Sequence, residues 1–351
     1  MGAEPGLAAR PGRPARPGGS RAWLWATVTL TLGAFGAAVA LAPPASAAPV
    51  PALTWLLFAG SSVHVAATGW LYTLPDVREY ARQHRVRLVR LPIALILASG
   101  GAAAVISPAL MAWCLVPYYA WQFFHFQKQN LGLAALAASS RRVASPRPAE
   151  RRAMMTAGYA GIAGLIAHPG LLQLGISPVL SGLYPAAAVV FAGAAGTGIA
   201  MLARRPAGDG AFWFGVVYLI SLGFWVPVFV FRSPYAAVGG ITIAHGLQYL
   251  LLVGMVAAGP GRGPARTLRL AVFGNIALAG GAVLGAASHL HGAAPAGRFL
   301  FGAYLGAVMA HFVIDASLWR LRDPFPRAFL ASRVPSLMPG AREPMPERTS
   351  G

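Results

Sequence analysis

The chain has 351 residues, 56% of them hydrophobic and only 11% charged, with a mean hydropathy of +0.59. A soluble fold of this size needs about 25% charged residues to cover its surface, so the composition excludes a water-soluble globular protein and calls for burial in lipid. The charge is lopsided, 28 basic residues against 9 acidic for a formal +19, and the single cysteine, Cys114, excludes an internal disulfide, a CxxC metal knuckle and a CxxCH haem attachment.

Residues 1–21, rich in Pro, Gly and Arg, read as a disordered basic tail. A membrane-spanning helix needs about 20 mostly apolar residues. Ten stretches meet or approach that length: 23–41, 51–73, 91–106, 109–127, 154–174, 185–203, 211–231, 236–257, 270–287 and 298–319. The first is followed by Ala45-Ser46-Ala47, which resembles a signal cleavage site, but it is long for a signal and reads as a retained helix. The third is joined to the fourth by a Ser107-Pro108 turn, and Pro117 and Pro227 are expected to break the fourth and seventh. The third, sixth and ninth are dominated by Gly and Ala, which favours close packing inside the bundle or against a neighbour. Residues 323–351 read as a largely disordered tail. With the N-terminus inside, 26 of the 28 basic residues fall on one side, leaving only Arg232 and Arg298 on the other. The positive-inside rule accounts for such a split without nucleic acid. The expectation is an all-α polytopic bundle of about ten transmembrane helices, a single domain over 22–322, with both termini cytoplasmic and the cell membrane as its location.

The histidines carry the functional signal. His84, His289 and His291 lie in loops and read as solvated, and His168, before Pro169, reads as an ordinary polar residue at a helix end. His64, His125, His245 and His311 lie within the second, fourth, eighth and tenth spans, which all run in one direction, at overlapping depths with His125 shallowest and His245 deepest. Ionisable residues in lipid are costly and normally face the bundle interior at a functional site. Asp315, the one acidic residue inside any span, follows His311 by four, so the two share a helix face. Gln129 follows His125 by four, and Gln248 and Tyr249 follow His245 by three and four. Gln129 and Gln248 suit helix-to-helix hydrogen bonds; Asp315 and Tyr249 are read as catalytic or orienting groups beside a metal held by the four histidines. The aromatics of YYAWQFFHF around His125 line either a pocket or an interfacial belt, and Trp70 and Tyr72 read as belt residues.

Imidazole with one carboxylate suits non-haem iron, and a site in a helical bundle open to lipid implies an apolar lipid or isoprenoid substrate. The spacing of His64, His125 and His245, with the aromatic-His-Phe context at His125, resembles the Brp/Blh-type membrane carotene dioxygenases. That resemblance implies histidine-bound iron and oxidative cleavage of an isoprenoid, with these three residues as ligands. The chain departs from the family in having Tyr249 where a further histidine is expected and Ser-Ser-Val before His64. His311 is then the fourth ligand, from another helix. The alternatives are b-type haem held between facing histidines, a transporter with a His–Asp proton path, and a structural membrane protein. The bilayer is the expected partner; oligomeric state is left open.

Overall fold

The computed structural model describes residues 18–44, 48–177, 182–261 and 263–339. Ala45-Ser46-Ala47, residues 1–17 and residues 340–351 lie outside them. The described chain is helical, without strands. In order it forms α1 (Gly18–Ala40), α2 (Pro51–Phe58), α3 (His64–Leu71), α4 (Pro75–Gln83), α5 (Leu91–Val105), α6 (Pro108–Ser140) and α7 (Pro148–Ala167). There follow α8 (Leu183–Ala203), α9 (Asp209–Leu222), α10 (Val226–Val230), α11 (Gly240–Ala258), α12 (Pro264–Ser288), α13 (Pro295–Leu318) and α14 (Pro324–Arg333). Several begin on proline, whose missing N–H and fixed φ suit the first helical turn. Single π-helical turns join α2 to α3 (Ala59–Val63) and precede α5 (Val86–Arg90) and α11 (Tyr235–Gly239), so these segments run on as continuous helices.

Seven segments among the described residues are long and apolar enough to cross a membrane: Gly19–Ala40, Pro51–Leu71, Val86–Val105, Leu183–Ala203, Tyr235–Ala258, Pro264–Gly292 and Pro295–Leu318. This is the make-up of a multi-pass membrane protein. The other three expected spans are helical too. The fourth lies in the first part of α6, which runs 33 residues straight through Pro117 without breaking. The fifth lies in α7 and the turn after it, while the seventh is divided between α9 and α10, with the chain bending just before Pro227.

Two expectations about the ends change. Residues 18–21 belong to α1, not to a tail. The segment after Asp323 is folded as far as it is described: α14 buries Phe329 and Leu330, and Leu337 beyond it is fully buried in the same apolar core. An amphipathic helix of ten residues with Phe325, Phe329 and Leu330 has an apolar stripe to hide, and the stretch was too short to register as a span. The first span, α1, packs along α11, with Leu24 and Ala38 wholly buried.

α11 is the axis of the bundle, with α1, α12, the α2–α3 helix and α6 around it. Its tightest neighbour is the π turn before α3. A Cβ on Gly60 would lie 2.6 Å from Ile243 Cα, and one on Gly246 would strike the Gly60 backbone. Only a pair of glycines lets the two backbones meet there. That crossing sits four residues before His64 and one after His245. A similar small-residue contact, Gly302 and Gly306 against the backbone of α5, seats α13. The Gly/Ala-rich α8 and α12 are not interior helices: α8 packs mainly on α7, and α12 lies across the α2–α3 helix with α13 and α11 beside it.

Candidate metal centre

His64, His125, His245 and His311 converge from α3, α6, α11 and α13. Ring centroids are 5.0 Å apart for His64–His245 and His64–His311, 5.1 Å for His125–His245 and 4.9 Å for His125–His311. All four are buried. The overlapping depths expected along the sequence thus correspond to one shared cluster. Ligand atoms of His64, His245 and His311 lie within 4.8 Å of one another, and so do those of His125, His311 and Asp315. Two donors bound to one ion at about 2.1 Å can be at most about 4.2 Å apart, so each group is within a small side-chain adjustment of holding a metal.

The ring nitrogens themselves are the second observation. His245 Nδ1 and Nε2, His125 Nε2 and His311 Nε2 are buried without a hydrogen-bond partner among the described residues, and His64 beside them meets only the Gly60 and Ser61 backbone of its own helix. Each such group left unmet costs about 1–3 kcal/mol. A packed core does not gather such groups in one place. A bound cation would take one nitrogen from each ring, so the donor set fits a metal ion.

His311 Nδ1 has a partner, and that partner orders the site. Tyr249 donates its hydroxyl proton to Asp315 Oδ1 at 3.0 Å. Its oxygen must then accept from Thr68 Oγ1, 2.7 Å away. Thr68, its one proton spent, accepts from His311 Nδ1 at 2.6 Å. With Asp315 ionised, counting protons along this chain gives His311 the Nδ1–H tautomer and leaves Nε2 with a free lone pair directed into the cluster. Asp315 stands farther from the imidazoles it was expected to join. Its Oδ2 is 3.7 Å from His311 Nδ1 and 3.8 Å from His125 Nε2, beyond hydrogen-bond reach. It acts on His311 through Tyr249 and Thr68.

Thr68 escaped the sequence reading. It follows His64 by four, the same spacing that singled out Gln129, Tyr249 and Asp315. A threonine in a membrane helix usually bonds its own backbone, so the spacing alone did not separate it from such residues. Gln129 and Gln248 are cross-helix ties, as their spacing suited: Gln129 donates to His245 O and to Gln248 Oε1, both at 3.0 Å, and Gln248 donates to Thr31 Oγ1 of α1 at 2.7 Å.

Apolar rings wall the cluster. Phe126 stacks on His245 at 3.8 Å and Phe312 on His125 at 4.7 Å. Of the aromatics near His125, Phe123 and Phe126 are buried, Tyr118 and Tyr119 line a cavity, and Trp121 packs edge-on to Phe312 at the exposed rim. Trp70, expected at the interface, is buried against Phe273, and Tyr72 donates to Leu88 O at 2.6 Å. His84, His168, His289 and His291 are exposed, as expected. Comparison with protein-family models, curated proteins and solved structures finds no match to this chain.

Proposed function

We propose that the chain is a membrane enzyme whose four histidines hold a non-haem metal ion, iron, and which oxidises an apolar lipid or isoprenoid. The observation that carries this reading is the convergence of four buried histidines from four helices, with ring nitrogens that no protein group meets. Histidine-rich iron supplies activation of dioxygen toward C–H or C=C bonds. The chain's own part is to bind and arrange. His64, His125 and His245 offer nitrogens; His311 offers Nε2 because the Asp315–Tyr249–Thr68 chain holds a proton on Nδ1; Phe126 and Phe312 keep water from the rings. Asp315 and Tyr249 are thus positioning residues in this reading. Haem is the weaker alternative, because imidazoles already packed at about 5 Å and capped by phenyl rings leave no flat space for a macrocycle. The resemblance to the Brp/Blh-type dioxygenases points to the same chemistry on the same three histidines, with His311 in place of a ligand at Tyr249.

The same reading sets the protein in the cell membrane with about ten spans and both termini cytoplasmic. The basic segments gather in support of it. Arg21 and Arg141 both pair with Asp209, joining the start of α1, the end of α6 and the start of α9. Arg333 of α14 pairs with Asp76 of α4 at 3.2 Å, and Ser139 at the end of α6 reaches Met338. These loops share one end of the bundle, where the positive-inside rule puts the cytoplasm.

Element analysis and an absorption spectrum of detergent-purified protein test the proposal. Iron without a Soret band is expected, with metal content falling at least about tenfold in His64→Ala, His125→Ala, His245→Ala or His311→Ala, more than the loss of an outer-shell partner. Protein free of metal whose four variants behave as wild type would overturn it.

A further inference from the structure

A cavity of about 490 Å³ opens at the end of the bundle opposite the basic loops and runs toward the histidines. Its floor includes Gln122 and Thr242, three residues before His125 and His245 on the same helices and so about 4.5 Å above them. Tyr118 and Tyr304 form its walls, and Arg298 and His291 stand near its mouth. The volume falls within the roughly 300–1,000 Å³ of small-molecule sites.

Two groups indicate what belongs there. Arg298 donates to Ala104 O at 2.8 Å and Ile106 O at 3.1 Å, closing the end of α5. Its Nε is buried without a partner, and no carboxylate pairs with it among the described residues. The cavity lining contains no acidic side chain. A guanidinium in the outer part of a membrane bundle without a counter-ion is a receptor for an anion. At the other end, Gln122 Oε1 is buried with no donor, which marks the floor as a place kept for a ligand and not as packed core.

We propose that this cavity is the substrate chamber of the histidine centre and takes a long-chain carboxylic acid, its carboxylate at Arg298 and its chain directed at the histidines. The proposal rests on the reading of those histidines as a metal centre. Arg298 and His311 are thirteen residues apart on α13, about 20 Å along its axis. The carbon presented to the cluster is therefore remote from the acid group, and the helix sets which position along the chain is reached.

The test is titration of the full-length, detergent-purified protein with cis-parinaric acid, a polyene acid that fluoresces on entering a water-poor site. Saturable binding is expected, weakened about tenfold or more in Arg298→Gln, the worth of one charge-assisted hydrogen bond. The same loss is expected for Ala112→Trp, which fills the cavity from α6 and leaves the Arg298 contacts with α5 intact, and for parinaric methyl ester on wild-type protein. Equal binding of acid and ester, or wild-type binding by both variants, would sink the proposal. So would displacement of parinarate by phosphatidic acid at lower concentration than by palmitate, which would make the site a phospholipid headgroup site. Metal is measured on the same samples: Arg298-dependent binding to metal-free protein upholds the acid site and removes the metal reading, while iron-loaded protein that binds no parinarate does the reverse.

Discussion

α11 and α12 lie side by side and are equally apolar in composition, yet 72% of the apolar stretch of the first is buried and only 17% of the second. Their polar side chains behave accordingly. On α12, Asn275 donates to Ala271 O of its own helix at 2.8 Å, and on the equally peripheral α8, Thr197 does the same to Gly193 O. On α11, Gln248 reaches α1, Tyr249 reaches α13 and α3, and His245 faces three other histidines. Hydrocarbon offers no hydrogen bonds, so every polar group must be met by protein. Asn275 and Thr197 are met by their own helices; at the axis, Gln248 and Tyr249 tie one helix to another. Position and chemistry are coupled only in the second case.

That contrast can be broken or sharpened in four ways. The largest effect is expected at a place where the periphery departs from it. Arg205, at the end of α8, holds the fully buried Glu150 of α7 through Nε at 2.7 Å and Nη2 at 2.6 Å. Arg205→Gln leaves that carboxylate buried and unpaired, a loss of about 3–5 kcal/mol, read as a fall in Tm. Burial pushes the Glu150 carboxyl up, but the Arg205 guanidinium and the Arg147 N–H outweigh it and hold the group below its ordinary value. A depressed carboxyl contributes its stability above the unfolded value and loses it as the pH falls through the folded one. The Tm gap between wild type and Arg205→Gln should narrow on acidification through and below the usual carboxylate range; a gap that widens there would refute the pairing.

At the axis, Asp315→Asn should weaken metal binding 10–100-fold, typical of a lost outer-shell partner, with Asp315→Glu recovering part of it in a chelator competition. An unchanged affinity would show that the Tyr249–Thr68 chain does not orient His311. Gly246→Ala presses a methyl group into the Gly60 backbone and should cost about 1–3 kcal/mol as overpacking; thermal unfolding reads it, and the His64–His245 pair should loosen with it. Asn275→Leu on α12 should move stability by no more than about 0.5 kcal/mol. A loss above about 1 kcal/mol would mean that the peripheral polar groups are not self-contained.

All ten apolar stretches are helical, so the outline of the fold was legible in hydropathy alone. What hydropathy could not separate is a helix in lipid from one buried in protein: α8 and α12 read like α11. Pro117 was read as a break, but in α6 the residue is exposed and the helix closes around the missing bond. The four histidines and Asp315 stood out because ionisable side chains in apolar spans are rare. Which histidine meets which was not legible, since the meeting depends on the Gly60–Gly246 crossing, and each of those is one of 42 glycines in the chain. Thr68 shows the converse. Its spacing was visible, but only the positions of Tyr249 and His311 on other helices turn a common residue into a link.

The π turn at Ala59–Val63 has a consequence for how the site tolerates change. A π turn accommodates one residue more than the α-helical repeat, and one residue is about 100° of helix phase. The lipid-facing side of α2, where Trp55 is 69% exposed, and the inward side of α3, where His64 is 4% exposed, are therefore set in phase independently of each other. The turn acts as a phase slip. Within those five residues the number of amino acids matters more than their kinds, and a deletion that left every histidine in place would still rotate one of them out of the cluster.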